Sequence, residues 1–285
     1  MEISSGETSK EVDERKRRRV SNLILILWII TMIINMVAYG MAEGAMREGE
    51  LGHLRSYLLE YMNVLLVYII SFIAGFLLSA LIFYSIVRYG GKAKLYILGG
   101  VFFMLSGIFD LVAAYYTYQM RSYMDYITKN LPLIPYEDIL GILHNLNENF
   151  AYYVNFYNVA SVVAIGGAFL FFGISAIYLA YTLGKQLEQY IFTLYQANEL
   201  AEGPQIMMGD FEQRFRSAIS DIKICGIFYV LSGLCDISVI IPGFEGFVTY
   251  GFFLFLIGMY FEQKGYKKLQ SLQISAPGGF AELLY

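Results

Sequence analysis

Six segments of the sequence are apolar over a length that can cross a lipid bilayer. A transmembrane helix needs about 20 consecutive, mostly apolar residues. The segments that qualify are residues 21–41, 63–87, 95–119, 152–183, 222–241 and 246–261, of which the last is short. Because a chain in lipid must pair its backbone amides internally, such segments fold as helices. The sequence therefore predicts an all-α, polytopic membrane protein with six transmembrane helices.

The composition agrees with this class and argues against several others. Of the 285 residues, 57% are hydrophobic and 15% are charged, and the mean hydropathy is +0.53, outside the usual balance of soluble domains. Cys225 and Cys235 would lie about 15 Å apart along one helix, too far for a disulfide. The sequence has no P-loop, dinucleotide-binding fingerprint, nucleophile elbow or metalloprotease helix. We therefore expect no enzymatic activity, no metal site and no cofactor.

The lysines and arginines between the spans predict the orientation, because basic residues are retained on the cytoplasmic side. With a cytoplasmic N-terminus, every basic residue lies on that side except Arg47, Arg55, Arg121 and Lys129. We therefore predict a cytoplasmic basic segment at residues 1–20, a transmembrane domain at residues 21–268 and a cytoplasmic tail at residues 269–285. Both termini would be cytoplasmic, and the chain would lie in the cell membrane.

Two of the predicted spans repeat a pattern that ends in an aspartate. Residues 100–110 read GVFFMLSGIFD and residues 226–236 read GIFYVLSGLCD. The matched small and polar residues are Gly100 and Gly226, Ser106 and Ser232, Gly107 and Gly233, and Asp110 and Asp236. The first span repeats only the polar part, as Thr31 and Asn35. We therefore predict three tandem helical hairpins, which would hold Asn35, Asp110 and Asp236 in one polar layer around a common axis.

The glycines of this pattern share a helix face with the aspartates. In both copies the two glycines and the aspartate follow one another at helical spacing. Glycine lets a second helix approach closely in lipid, so we expect this face to contact protein. The even-numbered spans contain fainter glycine-rich matches, which begin at Gly75, Gly167 and Gly251.

An aspartate inside a membrane helix requires an explanation. A charged side chain at mid-bilayer costs about 2.5–3.5 kcal/mol or more. Asp110 has no basic residue in its own span, and the one in the span of Asp236, Lys223, lies 13 residues away (236 − 223) at the opposite end. Each carboxyl would therefore be neutral, bind a cation, or contact water through a cavity. The structural alternative is that each carboxyl hydrogen-bonds Ser106, Ser232 or a neighbouring backbone group and holds helices together.

The last predicted hairpin carries a resemblance. Residues 241–269 read IPGFEGFVTYGFFLFLIGMYFEQKGYKKL. With its Ile-Pro start, spaced glycines and Tyr-x-x-x-Lys ending, this segment resembles the end of uncharacterised multi-pass membrane proteins of thermophilic archaea. In size and number of spans the chain is similar to the membrane subunit of the crenarchaeal DNA-import (Ced) system. The resemblance implies a role in such a system and assigns no functional residue.

These observations leave three hypotheses for the function. The first is a non-enzymatic translocation or pore-forming component of a multi-subunit machine, with DNA as the translocated substrate. Its partners would be the lipid bilayer, other membrane subunits and a cytoplasmic ATPase, because the chain has no nucleotide-binding motif of its own. The second is a small secondary transporter or ion channel that uses Asp110 and Asp236. The third is a scaffold in which both aspartates serve folding only.

Overall fold

The computed structural model describes residues 9–50, 54–89, 94–130, 141–142, 144–198, 206–244 and 246–275. Six long α-helices form within these ranges: α1 Ser9–Glu50, α2 Leu54–Tyr89, α3 Lys94–Asn130, α4 Tyr152–Asn198, α5 Ile206–Ile237 and α6 Phe247–Ser275. A π-helical turn, Asn147–Ala151, leads into α4, and a 3₁₀ turn, Ser238–Ile240, follows α5. No strand occurs in the described ranges. The prediction of an all-α fold is confirmed.

Five helical segments are long and apolar enough to cross a membrane. They are Asn22–Ala45, Ser56–Arg88, Lys94–Asn130, His144–Thr193 and Phe211–Ile240. Each covers most or all of one of the first five predicted spans, and three of them extend past both predicted ends. Five such helices are compatible with a multi-pass membrane protein.

The sixth predicted span is not among these five. Its helix, α6, forms where the sequence placed it, but the apolar stretch Phe247–Phe261 is followed directly by Glu262, Gln263 and Lys264. At 1.5 Å per residue such a stretch rises roughly 22 Å, whereas the hydrocarbon core of a bilayer is about 30 Å thick. The count of six spans is therefore not confirmed. The membrane side of the termini and the predicted borders at residues 20 and 268 stay predictions.

The chain divides into two compact units, which are described separately. The first comprises residues 1–92 and 100–165, and the second comprises residues 93–99 and 166–285. The hydrophobic core of the first unit joins α2, α3 and the segment before α4. Its buried members are Leu58, Leu65, Met120, Met124, Ile127 and Leu146. Ile142 and Phe150 pack against this core.

The second unit has its own hydrophobic core near the N-terminal half of α5. Its buried members are Ala180, Leu183, Leu187, Phe215, Ala218, Ile222, Leu269 and Leu272. The last two residues belong to α6, so this helix is packed against protein beyond residue 268. A separate aromatic group joins α4, α5 and α6, since Phe169 stacks on Phe255 at 4.7 Å and on Tyr229 at 6.2 Å between ring centroids. The helices of this unit are thus held together both by the hydrophobic core and by the aromatic group.

Candidate functional site

Asp110 is buried in the first unit, on the face of α3 that meets α2. It is 8% exposed. Its carboxyl lies against Gly75 of α2 so closely that a Cβ at Gly75 would collide with it. Ser161 of α4 lies beside the carboxyl, and the hydroxyls of Ser161 and Ser106 are 2.9 Å apart. One acid and two hydroxyls therefore form a small polar group inside otherwise apolar helices.

Asp236 is buried in the second unit in a similar setting. It is 5% exposed, and a Cβ placed on Gly251 of α6 would lie 2.7 Å from its Oδ1. Ser232, one turn earlier on α5, donates a 2.8 Å hydrogen bond to the backbone oxygen of Gly251. On the other side, a Cβ at Gly166 of α4 would lie 2.9 Å from the Asp236 Cβ. The carboxyl is therefore enclosed by two glycine-lined helix contacts.

Neither carboxyl is neutralised by a basic side chain in the described part of the chain. Ser161 lies beside the Asp110 carboxyl, and the ion pairs of the described residues include neither Asp110 nor Asp236. By contrast, Asp221 of α5 pairs with two lysines of α6: its Oδ1 lies 3.4 Å from Lys264 Nζ and its Oδ2 lies 2.5 Å from Lys268 Nζ. Among the described residues, the buried carboxyls without a counter-ion are thus those of Asp110 and Asp236.

The four predicted packing glycines all lie against another helix. In the first unit, a Cβ at Gly100 would lie 3.2 Å from Ile86, and one at Gly107 would lie 2.9 Å from Ser79, both on α2. In the second unit, Gly226 and Gly233 of α5 lie against α4. Added Cβ atoms there would lie 2.7 Å from the oxygen of Gly173 and 2.5 Å from the oxygen of Gly166 respectively. The side chains of Ala or larger residues would not fit these contacts without a shift.

The two predicted polar residues of α1 are arranged differently. Thr31 donates to the oxygen of Leu27 in its own helix at 2.8 Å. Asn35 is exposed, and its Oδ1 accepts a hydrogen bond from Ser71 of α2 at 2.5 Å. Both residues belong to the first unit, as Asp110 does, whereas Asp236 belongs to the second. The predicted common layer of Asn35, Asp110 and Asp236 therefore stays a prediction.

Sequence reasoning missed a second polar contact between α5 and α6. Tyr229 is 6% exposed, and its hydroxyl donates to the carboxylate of Glu262. Asp221, with its two lysines, was missed as well. A signal was available, because Asp221, Tyr229 and Asp236 fall on one face of α5 by helical spacing. Their partners on α6 could not be read from that spacing.

The described residues contain no group of three or more His, Cys, Asp or Glu side chains that would hold a metal ion. Comparison with protein-family models gives no match, and comparisons with curated proteins and with solved structures give no significant match. The resemblance to archaeal membrane proteins and to the Ced system therefore stays a prediction.

Proposed function

We propose that this chain is a non-enzymatic membrane protein that moves protons or a small cation across the bilayer, with Asp110 and Asp236 as the binding carboxyls. One observation carries the proposal: both acids are buried within helices long and apolar enough to span a membrane, and neither has a basic partner among the described residues. An acid in such a place is stable when it binds a proton or a cation. Reversible binding of either is what a transport site requires.

The groups around each carboxyl suit this role. Hard cations prefer oxygen ligands, and the hydroxyls of Ser106 and Ser161 supply them near Asp110. Near Asp236 the oxygen ligands are those of Ser232 and the Gly251 backbone. The adjoining glycines place no side chain between the carboxyl and the neighbouring helix. Each site can therefore bind its ion with protein oxygens or retain a proton.

Equivalent contacts around the two acids support an internal repeat, which we propose as the origin of the two sites. Asp110 and Asp236 are separated by 126 residues (236 − 110). Their neighbours on the preceding apolar helix, Gly75 and Gly166, are separated by 91 residues (166 − 75). The same 91-residue offset relates Ile86 to Ile177 and Ser79 to Leu170, which face the matched glycines. Two copies of one helix contact would place the two acids in matching surroundings.

Flux measurements test the proposal. The full chain is reconstituted in liposomes, and uptake of protons, Na⁺ and K⁺ is followed under an imposed gradient. We expect Asp110→Asn and Asp236→Asn to reduce the flux and the double variant to abolish it. Asp125→Asn is the matched control, because Asp125 lies on α3 but is exposed and paired with Lys129 at 2.6 Å. If the double variant conducts like the wild type, the acids have a structural role only and the proposal is wrong.

A second candidate is a translocation or pore-forming subunit of a larger machine, with DNA import as the predicted process. The packing of α1 favours it: only 6% of the most apolar stretch of α1 is buried in the chain, against 22–39% for the other four candidate spans. A helix with so few contacts has a surface for other membrane subunits. A cytoplasmic ATPase would supply the energy. Asp110 and Asp236, being buried, would not repel DNA from an exposed path.

Site-specific photo-crosslinking in native membranes tests this candidate. A photoreactive residue at Ile33, which is 55% exposed, is expected to crosslink to a second protein. The matched position is Ala38 on the same helix, which is fully buried and should give no intermolecular product. Crosslinks from Ile33 to lipid alone would rule out a partner at this surface.

A further inference from the structure

We propose that the basic end of the second unit binds the phosphate groups of anionic lipids, through lysines that α4, α5 and α6 place at one level. The lysines are Lys185, Lys223 and Lys264. This inference concerns the membrane surface and not the buried carboxyls, so it does not depend on which ion the chain moves.

Each of the three helices changes over four residues from an exposed apolar or aromatic side chain to a lysine. The changes are Tyr181 to Lys185 on α4, Ile227 to Lys223 on α5 and Tyr260 to Lys264 on α6. The three apolar or aromatic side chains are between 43% and 62% exposed. Aromatic residues collect where a membrane meets water, and lysines extend from there toward the headgroups. The border between hydrocarbon and headgroups is therefore expected at this change.

The close helix contacts of the second unit show that the three changes lie at one level. Gly265 of α6 lies against α5, where an added Cβ would be 2.8 Å from the side chain of Ile222. Gly226 of α5 lies against α4, where an added Cβ would be 2.7 Å from the side chain of Ile177. Because α4 and α5 run antiparallel, Tyr181, one turn after Ile177, is level with Ile222, one turn before Gly226.

Two of the lysine side chains lie over an aromatic ring at this level. Lys185 Nζ is 4.8 Å from the ring centroid of Tyr181, and Lys264 Nζ is 5.4 Å from that of Phe261. The cation–π attraction holds both ammonium groups beside the border. Lys223 follows Ile222 directly in the sequence and is exposed. The three ammonium groups therefore surround the second unit close to one level.

The charge around this level favours an anionic partner. Residues 181–188, 221–227 and 260–268 contain five lysines and three acidic residues. Of the acids, Asp221 is shared by two lysines of α6, Glu262 accepts a hydrogen bond from Tyr229, and Glu188 is exposed. The ion pairs of the described residues do not include Lys223. An excess of positive charge is thus left for an external anion.

A lipid fits this surface better than a soluble anion does. On α5, Ile227, Leu231 and Leu234 follow Lys223 at intervals of four, four and three residues, and all three are more than 40% exposed. This spacing places them on one helix face. From Lys223 to Leu234 the row rises roughly 16 Å, about half of a bilayer core of about 30 Å. An acyl chain can lie along the row while the phosphate contacts the lysine, whereas a free phosphate makes only the second contact.

Titration of a fluorescent phosphatidylglycerol with the full chain tests the inference. The protein is held in a neutral detergent, and the fluorescence anisotropy of the lipid reports binding. We expect Lys185→Gln and Lys223→Gln each to weaken binding roughly fivefold, and the triple variant that adds Lys264→Gln to weaken it further. Arg216→Gln is the matched control and should bind like the wild type. Arg216 is an exposed residue of α5 that pairs with Glu212 at 2.8 Å and lies seven residues before Lys223, away from the border.

Two competitors identify the ligand. Phosphatidylcholine with the same acyl chains should bind the wild type and the triple variant equally. If Lys185→Gln and Lys223→Gln bind phosphatidylglycerol like the wild type, the inference is wrong. Since both side chains are exposed, these two variants keep the test valid even if the triple variant fails to fold. If inorganic phosphate displaces the lipid at an ionic strength matched with chloride, the surface recognises phosphate without an acyl chain, and the inference is again wrong.

Discussion

In the second unit α4 and α5 pack closely at Gly173, and Gly173→Ala should weaken this contact. A Cβ at Gly173 would lie 2.6 Å from the Gly226 oxygen and 2.7 Å from both the backbone nitrogen and Cγ2 of Val230. Ordinary contacts of this kind begin at 3.4 Å, so the two helices would have to separate by about 0.8 Å. The obstructing atoms are mainly backbone, which cannot turn aside as a flexible side chain does.

Two opposing terms set the expected size of the effect. Overpacking of a tight contact costs typically 1–3 kcal/mol, and the higher helix propensity of alanine returns up to about 1 kcal/mol. We expect a net loss of about 1–2 kcal/mol, which would lower the unfolding midpoint by roughly 2–6 °C in a chain of this size. Gly184→Ala is the matched control on α4, because in the described part of the chain no atom lies within 4 Å of a Cβ there.

The assay is thermal unfolding in detergent, followed by the reaction of a fluorescent maleimide with Cys225. This thiol is 1% exposed and adjoins Gly226, so it becomes reactive when the α4–α5 contact opens. Gly184→Ala should unfold at or slightly above the wild-type temperature. A Gly173→Ala protein that is as stable as Gly184→Ala would refute the close approach of α4 and α5.

Two further changes test the packing of the second unit by the same unfolding assay. Phe215→Ala empties a fully buried site in the hydrophobic core and should lower the free energy of unfolding by about 3–5 kcal/mol. Phe192→Ala, at a side chain that is 64% exposed, should have little effect. Equal stability of the two variants would contradict this core. Asp221→Ala leaves Lys268 beside that core without its carboxylate and should cost about 1–3 kcal/mol. Glu212→Ala removes only an exposed pair with Arg216 and should cost no more than about 0.5 kcal/mol; if it destabilises as much as Asp221→Ala, burial is not the reason for the larger effect.

The helices were predictable from the sequence because long apolar segments in lipid have few alternatives. The ends of the helices were less predictable. The prediction ended the third span at residue 119, but α3 continues to Asn130. Polar residues lower the mean hydropathy there, yet Met120, Met124 and Ile127 recur at helical spacing and are buried. Such a stripe of buried apolar residues continues a helix beyond the point at which the mean hydropathy of the segment falls.

The glycine of α4 that lies against Asp236 is one residue before the glycine that the sequence match picked out. Sequence matching aligned Gly75 with Gly167, whereas the contact with Asp236 is made by Gly166. Adjacent glycines look alike in a sequence, but one residue turns a helix by about 100°, so only the packed structure distinguishes them. The pairing of Tyr229 with Glu262 could not be predicted from the sequence, for a related reason. It depends on how α6 is aligned beside α5, and neither helix specifies that alignment alone.

The short apolar stretch of α6 would make the entry of this helix into a membrane depend on α5. A helix whose apolar stretch ends before Glu262, Gln263 and Lys264 has too few apolar residues to partition efficiently on its own during synthesis. The hydrogen bond from Tyr229 and the ion pairs of Asp221 give those polar groups partners on the preceding helix. If α6 crosses the membrane, we therefore expect the last hairpin to be integrated as one unit.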